Sequence, residues 1–84
     1  MKKVLIADDS VTTRAILKMT LDRHFSVSEA GNGEEALVMA REGDISYFLM
    51  DVYMPVMGGI ETIMEIRKID GYEKTPIIVL TTDD

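Results

Sequence analysis

Three apolar runs, each of four residues, limit what this chain can fold into. They are Val4-Leu5-Ile6-Ala7, Tyr47-Phe48-Leu49-Met50 and Ile77-Ile78-Val79-Leu80. Such runs are too short for helices and, bounded by turn signals, read as strands buried on both faces, the kind found in parallel sheets. With the segment Phe25 to Ala30 they give four strands: Lys3 to Ala7, Phe25 to Ala30, roughly Tyr47 to Met50, and Ile77 to Leu80. The stretches between them carry helical spacing. Helix 1 is predicted from near Val11 to Arg23, capped by Ser10 or Asp9, with Thr12, Ala15, Ile16 and Met19 along its inner face. Helix 2 opens at the Gly31-Asn32-Gly33 turn, where Asn32 and Glu35 resemble a capping box. Its inner stripe is Ala36, Leu37 and Ala40, and Gly43 stops it. Helix 3 spans about Gly59 to Ile69, with Ile60, Ile63, Met64 and the stem of Arg67 inward. Pro76 opens the last strand, where a missing amide costs least. Strand–helix alternation of this kind requires right-handed crossovers and a parallel sheet with helices on both faces.

Two of the runs end in carboxylates: Asp8 and Asp9 follow the first, and Asp51 follows the second. Ligands of open parallel sheets sit at the carboxyl ends of the strands. If these two strands are neighbours, three carboxylates converge, which is costly unless a cation or a proton neutralises them. An all-oxygen, carboxylate-rich pocket suits Mg²⁺ or the similar Mn²⁺, a cation that keeps several waters and often shares its shell with a phosphoryl group. Singly, an aspartate at a strand end is as readily the N-cap of the next helix; the three together favour the cation site.

The chain has 84 residues, which suits one domain with a modest core. It is 46% hydrophobic and 29% charged, a globular profile, and its formal charge of −6 argues against direct nucleic-acid binding. Cysteine is absent, which excludes thiolate metal sites and disulfides within the sequence. Only four apolar residues separate Lys3 from Asp8, too few for a signal-peptide core, and no segment is long enough to span a bilayer. A cytoplasmic location is the expectation. The seven methionines read as core filler, and His24 reads as a surface cation near a helix C-terminus.

The stretches "VLIADDS", "LMDVYMPVMGGIE" and "TPIIVLTT" closely resemble the receiver domain of bacterial two-component response regulators, in order and spacing along essentially the whole chain. The resemblance implies a flavodoxin-like doubly wound sheet with strand order 2-1-3-4-5. It also implies roles. Asp51 is the phosphoacceptor, Asp9 a direct Mg²⁺ ligand, Asp8 a ligand through a metal-bound water, and the main-chain carbonyl of Tyr53 a further ligand. Thr81 hydrogen-bonds the phosphoryl group. A sensor histidine kinase is the implied donor, and the output partner is unknown. The protein is then a phosphorylation-controlled regulator rather than an enzyme. An aspartate can attack a phosphoryl donor to give an acyl phosphate, given in-line positioning and neutralisation of the phosphoryl oxygens.

Departures from the family pattern shape the remaining expectations. A receiver carries a lysine after its fifth strand, whereas the sequence stops at Asp84, so residues 1–84 read as the N-terminal portion of a receiver with four strands and three helices of five and five. Thr82 stands where the family has a small residue, and Tyr53 is bulky enough to shield an acyl phosphate. Strand 4 becomes an apolar edge. Alternate side chains from Phe48, Met50, Ile77, Ile78, Val79 and Leu80 are then expected to face water on the helix-1 side, inviting a homodimer or element exchange. The alternative function is an interaction or dimerisation module without phosphotransfer. A haloacid-dehalogenase-type phosphatase fails because Tyr53 replaces its second aspartate, and an FMN carrier fails because Asp8 and Asp9 would repel the flavin phosphate.

Overall fold

The computed structural model describes residues 1–80. Its elements are β1 (Lys3–Ala7), α1 (Val11–Leu21), β2 (Ser26–Ala30), α2 (Gly33–Glu42), β3 (Ile45–Asp51), α3 (Gly59–Arg67) and β4 (Ile77–Leu80). All pairings are parallel and the strand order is β2-β1-β3-β4. The expected elements are thus present in the expected order. β3 is longer than its apolar run, because Ile45 pairs with Lys3 and Asp51 pairs with Leu80. α1 ends at Leu21, where the amides of His24 and Phe25 both donate to the Leu21 carbonyl and turn the chain toward β2.

Alternation along β1 divides the interior. Leu5 and Ala7 join Ala30, Phe48 and Met50 under α2 and α3, meeting Ala36, Leu37, Ala40 and Ile66 in the main core. Burying each of the larger side chains contributes about 1.5–3 kcal/mol. Tyr72 closes the far end of this layer, its ring edge-on to Phe48 at 5.4 Å and its hydroxyl donating to the Ala40 carbonyl at 2.7 Å. On the other face Val4 and Ile6 are buried beside α1. There Leu21, Phe25, Tyr47, Leu49 and Ile78 with Val4 line an apolar groove of about 210 Å³.

Three expectations about faces are corrected. On α1, Thr12, Ala15, Ile16 and Met19 are exposed, while Thr13, Arg14, Leu17 and Leu21 turn inward to intermediate depth. Apolar residues occur around most of this helix, so spacing alone does not select the packed stripe. On α3, Ile60 and Met64 are exposed, and Thr62 and Ile66 are buried instead; Ile63 and Arg67 are partly buried as expected. On β3, Phe48 and Met50 are fully buried under α2 and α3, so it is Tyr47 and Leu49 that point toward the α1 side. The water-facing apolar side chains of β4 are Ile78, 53% exposed, and Val79, 42% exposed.

Candidate functional site

The site begins with backbone register. β1 and β3 are neighbours, and Ala7 lies opposite Met50, so the next residue of each strand carries a carboxylate at the same edge of the sheet. Asp8 and Asp51 are both buried and Asp9 is exposed. One carboxylate oxygen from each of the three lies within 4.8 Å of the others. The sequence reading placed Asp8, Asp9 and Asp51 in one cluster, and the structure brings them together.

The β1–α1 turn is tied down by its own polar groups. Asp8 Oδ1 accepts from the Ser10 amide at 2.8 Å, and Ser10 Oγ caps α1 by accepting from the Thr13 amide at 3.1 Å. Ser10 rather than Asp9 is therefore the cap, leaving the Asp9 carboxylate unspent on the helix. Beyond β3, Pro55 accepts from the Met57 amide at 2.7 Å across Val56, whose φ is +68°. A β-branched residue in that region is strained, a cost accepted where the surrounding structure fixes the bend. The loop is then tied to α2, since the Gly33 amide donates to the Met57 carbonyl at 3.1 Å. Gly33 tolerates no side chain, because a β-carbon there would overlap Thr62 Oγ1 and the Met57 carbonyl. Tyr53 lies on this loop, 74% exposed.

Electrostatics single out Asp51. Burial raises its pKa above the ordinary value of 3.8, the Asp8 carboxylate raises it further, and Asp9 adds to the effect; backbone N–H groups of Tyr53 and Val52 oppose the rise. Among the described residues, the ion pairs are Arg14–Glu29 and Lys68–Glu65, and neither includes the three aspartates. A compact group of carboxylate oxygens, with the Asp51 pKa raised among them, is chemically suited to a hard dication, which would remove the repulsion and leave an ionised nucleophile. Thr81 and Thr82 lie outside the described residues.

Two contributors were not legible beforehand. Gly59, the first residue of α3, packs its Cα against the Asp51 carbonyl, and its amide donates to the Val52 carbonyl at 2.9 Å. Gly58 and Gly59 stand side by side in the sequence, and only tertiary structure shows which one packs against Asp51. Arg14 donates to the Asp8 carbonyl at 2.6 Å and to Glu29 Oε1 at 3.1 Å. A basic residue in the first half of the helix that follows two aspartates was the available signal.

A parallel sheet wound with helices on both faces, bearing a compact cluster of three carboxylates where two central strands end, defines a flavodoxin-like α/β protein. The model of the response regulator receiver domain matches residues 4–84, and the chain belongs to that family, the receivers of two-component signalling. It is 44% identical over 85 residues to the transcriptional regulatory protein YdfI of Bacillus subtilis, a match covering 98% of the chain and 38% of YdfI. The chain thus spans well under half the length of that curated relative. Among solved structures it is similar to the chemotaxis protein CheY4 of Vibrio cholerae, with a TM-score of 0.94 and 40% identity, covering 100% of the chain and 71% of CheY4. It is also similar to TrrA of Thermotoga maritima in a complex with Mg(2+)-BeF, with a TM-score of 0.86 and 36% identity over 100% of the chain and 72% of TrrA. TrrA in complex with the histidine kinase ThkA gives a TM-score of 0.87 at 35% identity, over 100% of the chain and 72% of that TrrA chain.

Proposed function

We propose that Asp51 accepts a phosphoryl group from a phosphohistidine of a sensor kinase, in a reaction that depends on Mg²⁺ or Mn²⁺. The observation that carries this reading is the convergence of Asp8, Asp9 and Asp51 at one strand edge. Asp9, Asp51 and the Tyr53 carbonyl are assigned as direct ligands of the metal, with Asp8 acting through a metal-bound water. When bound, the cation supplies charge neutralisation for the carboxylates and the phosphoryl oxygens. An oxygen of Asp51 forms the bond to phosphorus as the donor's bond to phosphorus breaks, leaving an acyl phosphate. Backbone N–H groups of Tyr53 and Val52 favour the ionised form of the nucleophile, while Gly59 leaves the space the Asp51 main chain occupies. Thr81 is assigned to hydrogen-bond the transferred group. Tyr53, exposed on the loop that follows Asp51, is assigned to shield the acyl phosphate from water.

TrrA supports both halves of the reading, as one of its structures holds Mg(2+)-BeF and another a histidine kinase. The 84 residues are assigned as the N-terminal portion of a receiver, in line with the 71% of CheY4 that they cover. No helix among the described residues is long and apolar enough to cross a membrane. The deciding experiment is labelling with a radioactive small-molecule phosphodonor in the presence of Mg²⁺. Acid-stable, hydroxylamine-sensitive label is expected on the unmodified protein and not on Asp51→Asn. Undiminished label on that variant removes Asp51 as the acceptor.

A second reading, an interaction module that pairs copies through the β4 edge without phosphotransfer, draws on the exposed Ile78 and Val79. An absence of label on the unmodified protein together with concentration-dependent dimers in light scattering favours it.

A further inference from the structure

We propose that Arg14 is a positioning residue for the cation site, acting through the main chain of Asp8. Its guanidinium spans two elements. Nη1 donates to the Asp8 carbonyl at 2.6 Å, and Nε donates to Glu29 Oε1 on β2 at 3.1 Å. The side chain is 17% exposed, so it lies against the protein rather than in solvent. It rests beside Gly31, where an added β-carbon would stand 3.6 Å from Nη1 and 3.5 Å from Glu35 Oε1, the oxygen that accepts from the Gly31 amide. The planar fork of an arginine suits this bridging, since its donors are fixed relative to one another; a lysine ammonium offers no such frame.

The clamp completes a three-point hold on Asp8. Its amide donates to the Ala30 carbonyl at 3.0 Å, its carboxylate accepts from Ser10, and its carbonyl accepts from Arg14. The first of these ties the residue to β2, the second shapes the turn, and the third joins it to the helix that follows. The peptide whose carbonyl Arg14 holds is the one that leads into Asp9. Fixing that peptide plane therefore fixes where the Asp9 carboxylate departs toward Asp51. Groups outside the ligand set that orient the ligands change metal affinity by about 10–100-fold when removed.

This inference rests on the cation reading of the three aspartates, and its sign separates it from a simple charge effect. A guanidinium acting only as a nearby positive charge would weaken binding of a dication, so deleting it would tighten binding. As a clamp, its loss weakens binding whatever charge replaces it. Calorimetric titration with MgCl₂ distinguishes the two: Arg14→Lys and Arg14→Gln are both expected to bind about tenfold more weakly. Tyr72→Phe, altered at the far end of the sheet, serves as a destabilised control and keeps the affinity of the unmodified protein. Unchanged affinity in Arg14→Lys, or tighter binding in Arg14→Gln, overturns the clamp. If the unmodified protein binds no Mg²⁺, the cation reading itself fails. The clamp is then decided without metal: in Arg14→Lys the Asp9 and Ser10 amide resonances shift or broaden, and unchanged resonances overturn it.

Discussion

The Cα of Gly59 lies against the main-chain carbonyl of Asp51, so close that a β-carbon on Gly59 would overlap it. The first turn of α3 and the end of β3 are thereby a single packed unit. Gly59→Ala must push the helix off the strand and is expected to cost about 1–3 kcal/mol, measured by urea unfolding. Gly58→Ala is the contrast, because its β-carbon would meet only the Val52 carbonyl at 3.3 Å. The smaller loss is expected there.

Asp51 makes the metal-free fold sensitive to pH. Its folded-state pKa is raised above the ordinary 3.8 by burial first and by the Asp8 carboxylate second. Between the two values the folded chain binds more protons than the unfolded chain, so stability falls as pH rises through the folded pKa. Without metal, Asp51→Asn is therefore more thermostable than the unmodified protein at neutral pH, and the gap shrinks as the pH is lowered toward 3.8. Thermal unfolding in EDTA at a series of pH values checks this. A gap that widens on acidification contradicts the assignment.

Adding Mg²⁺ reverses that order. A ligand bound only by the folded chain stabilises it by about 2.7 kcal/mol at one hundred times its dissociation constant. The unmodified protein is expected to gain, and Asp51→Asn and Asp9→Ala to gain little, in parallel melts with saturating MgCl₂. Equal gains in all three place the cation elsewhere.

The Tyr72 hydroxyl donates to the Ala40 carbonyl at 2.7 Å and accepts from the Ile45 amide at 3.4 Å, both in a buried setting. Tyr72→Phe leaves those backbone groups without that partner and is expected to cost about 1–3 kcal/mol in denaturant unfolding. Its effect on Mg²⁺ binding should be negligible, since it sits by the α2–β3 turn, away from the aspartates.

Asn32 Oδ1 accepts from the Glu35 amide at 2.9 Å, and Glu35 returns a bond one residue outside the usual box, to the Gly31 amide at 2.7 Å. Asn32→Ala is expected to cost about 1 kcal/mol, read from the unfolding midpoint.

Element count was legible from short-range pattern, whereas strand order came only with the family resemblance and not from the residues' own spacing. The three carboxylates needed only that β1 and β3 be neighbours. The buried faces of α1 and α3 were less accessible. Val11, Ile16 and Met19 are apolar yet exposed on α1, while Thr62 is buried on α3 with its hydroxyl donating to the Gly58 carbonyl at 2.7 Å. In such short helices one hydrogen-bonded threonine or one surface methionine changes the apparent stripe. The side choice along β3 failed for a different reason: Tyr47 to Met50 is apolar at every position, so alternation carries no phase. The Arg14 bridge depends on β2 lying beside β1, and on which carboxylate of β2 then faces the helix.

Register between β1 and β3 has a consequence for how the acidic site comes into being. Asp8 and Asp51 are remote along the chain, and no local segment contains both. The site is absent until the two strands have zipped together, with Ala7 against Met50, and the loop between them must close first. A one-residue slip would carry Asp51 about 3.3 Å along the sheet and turn its side chain to the opposite face. Any ion that grips all three carboxylates is therefore a gauge of correct strand pairing, and its binding free energy becomes available to the fold only at the end of assembly.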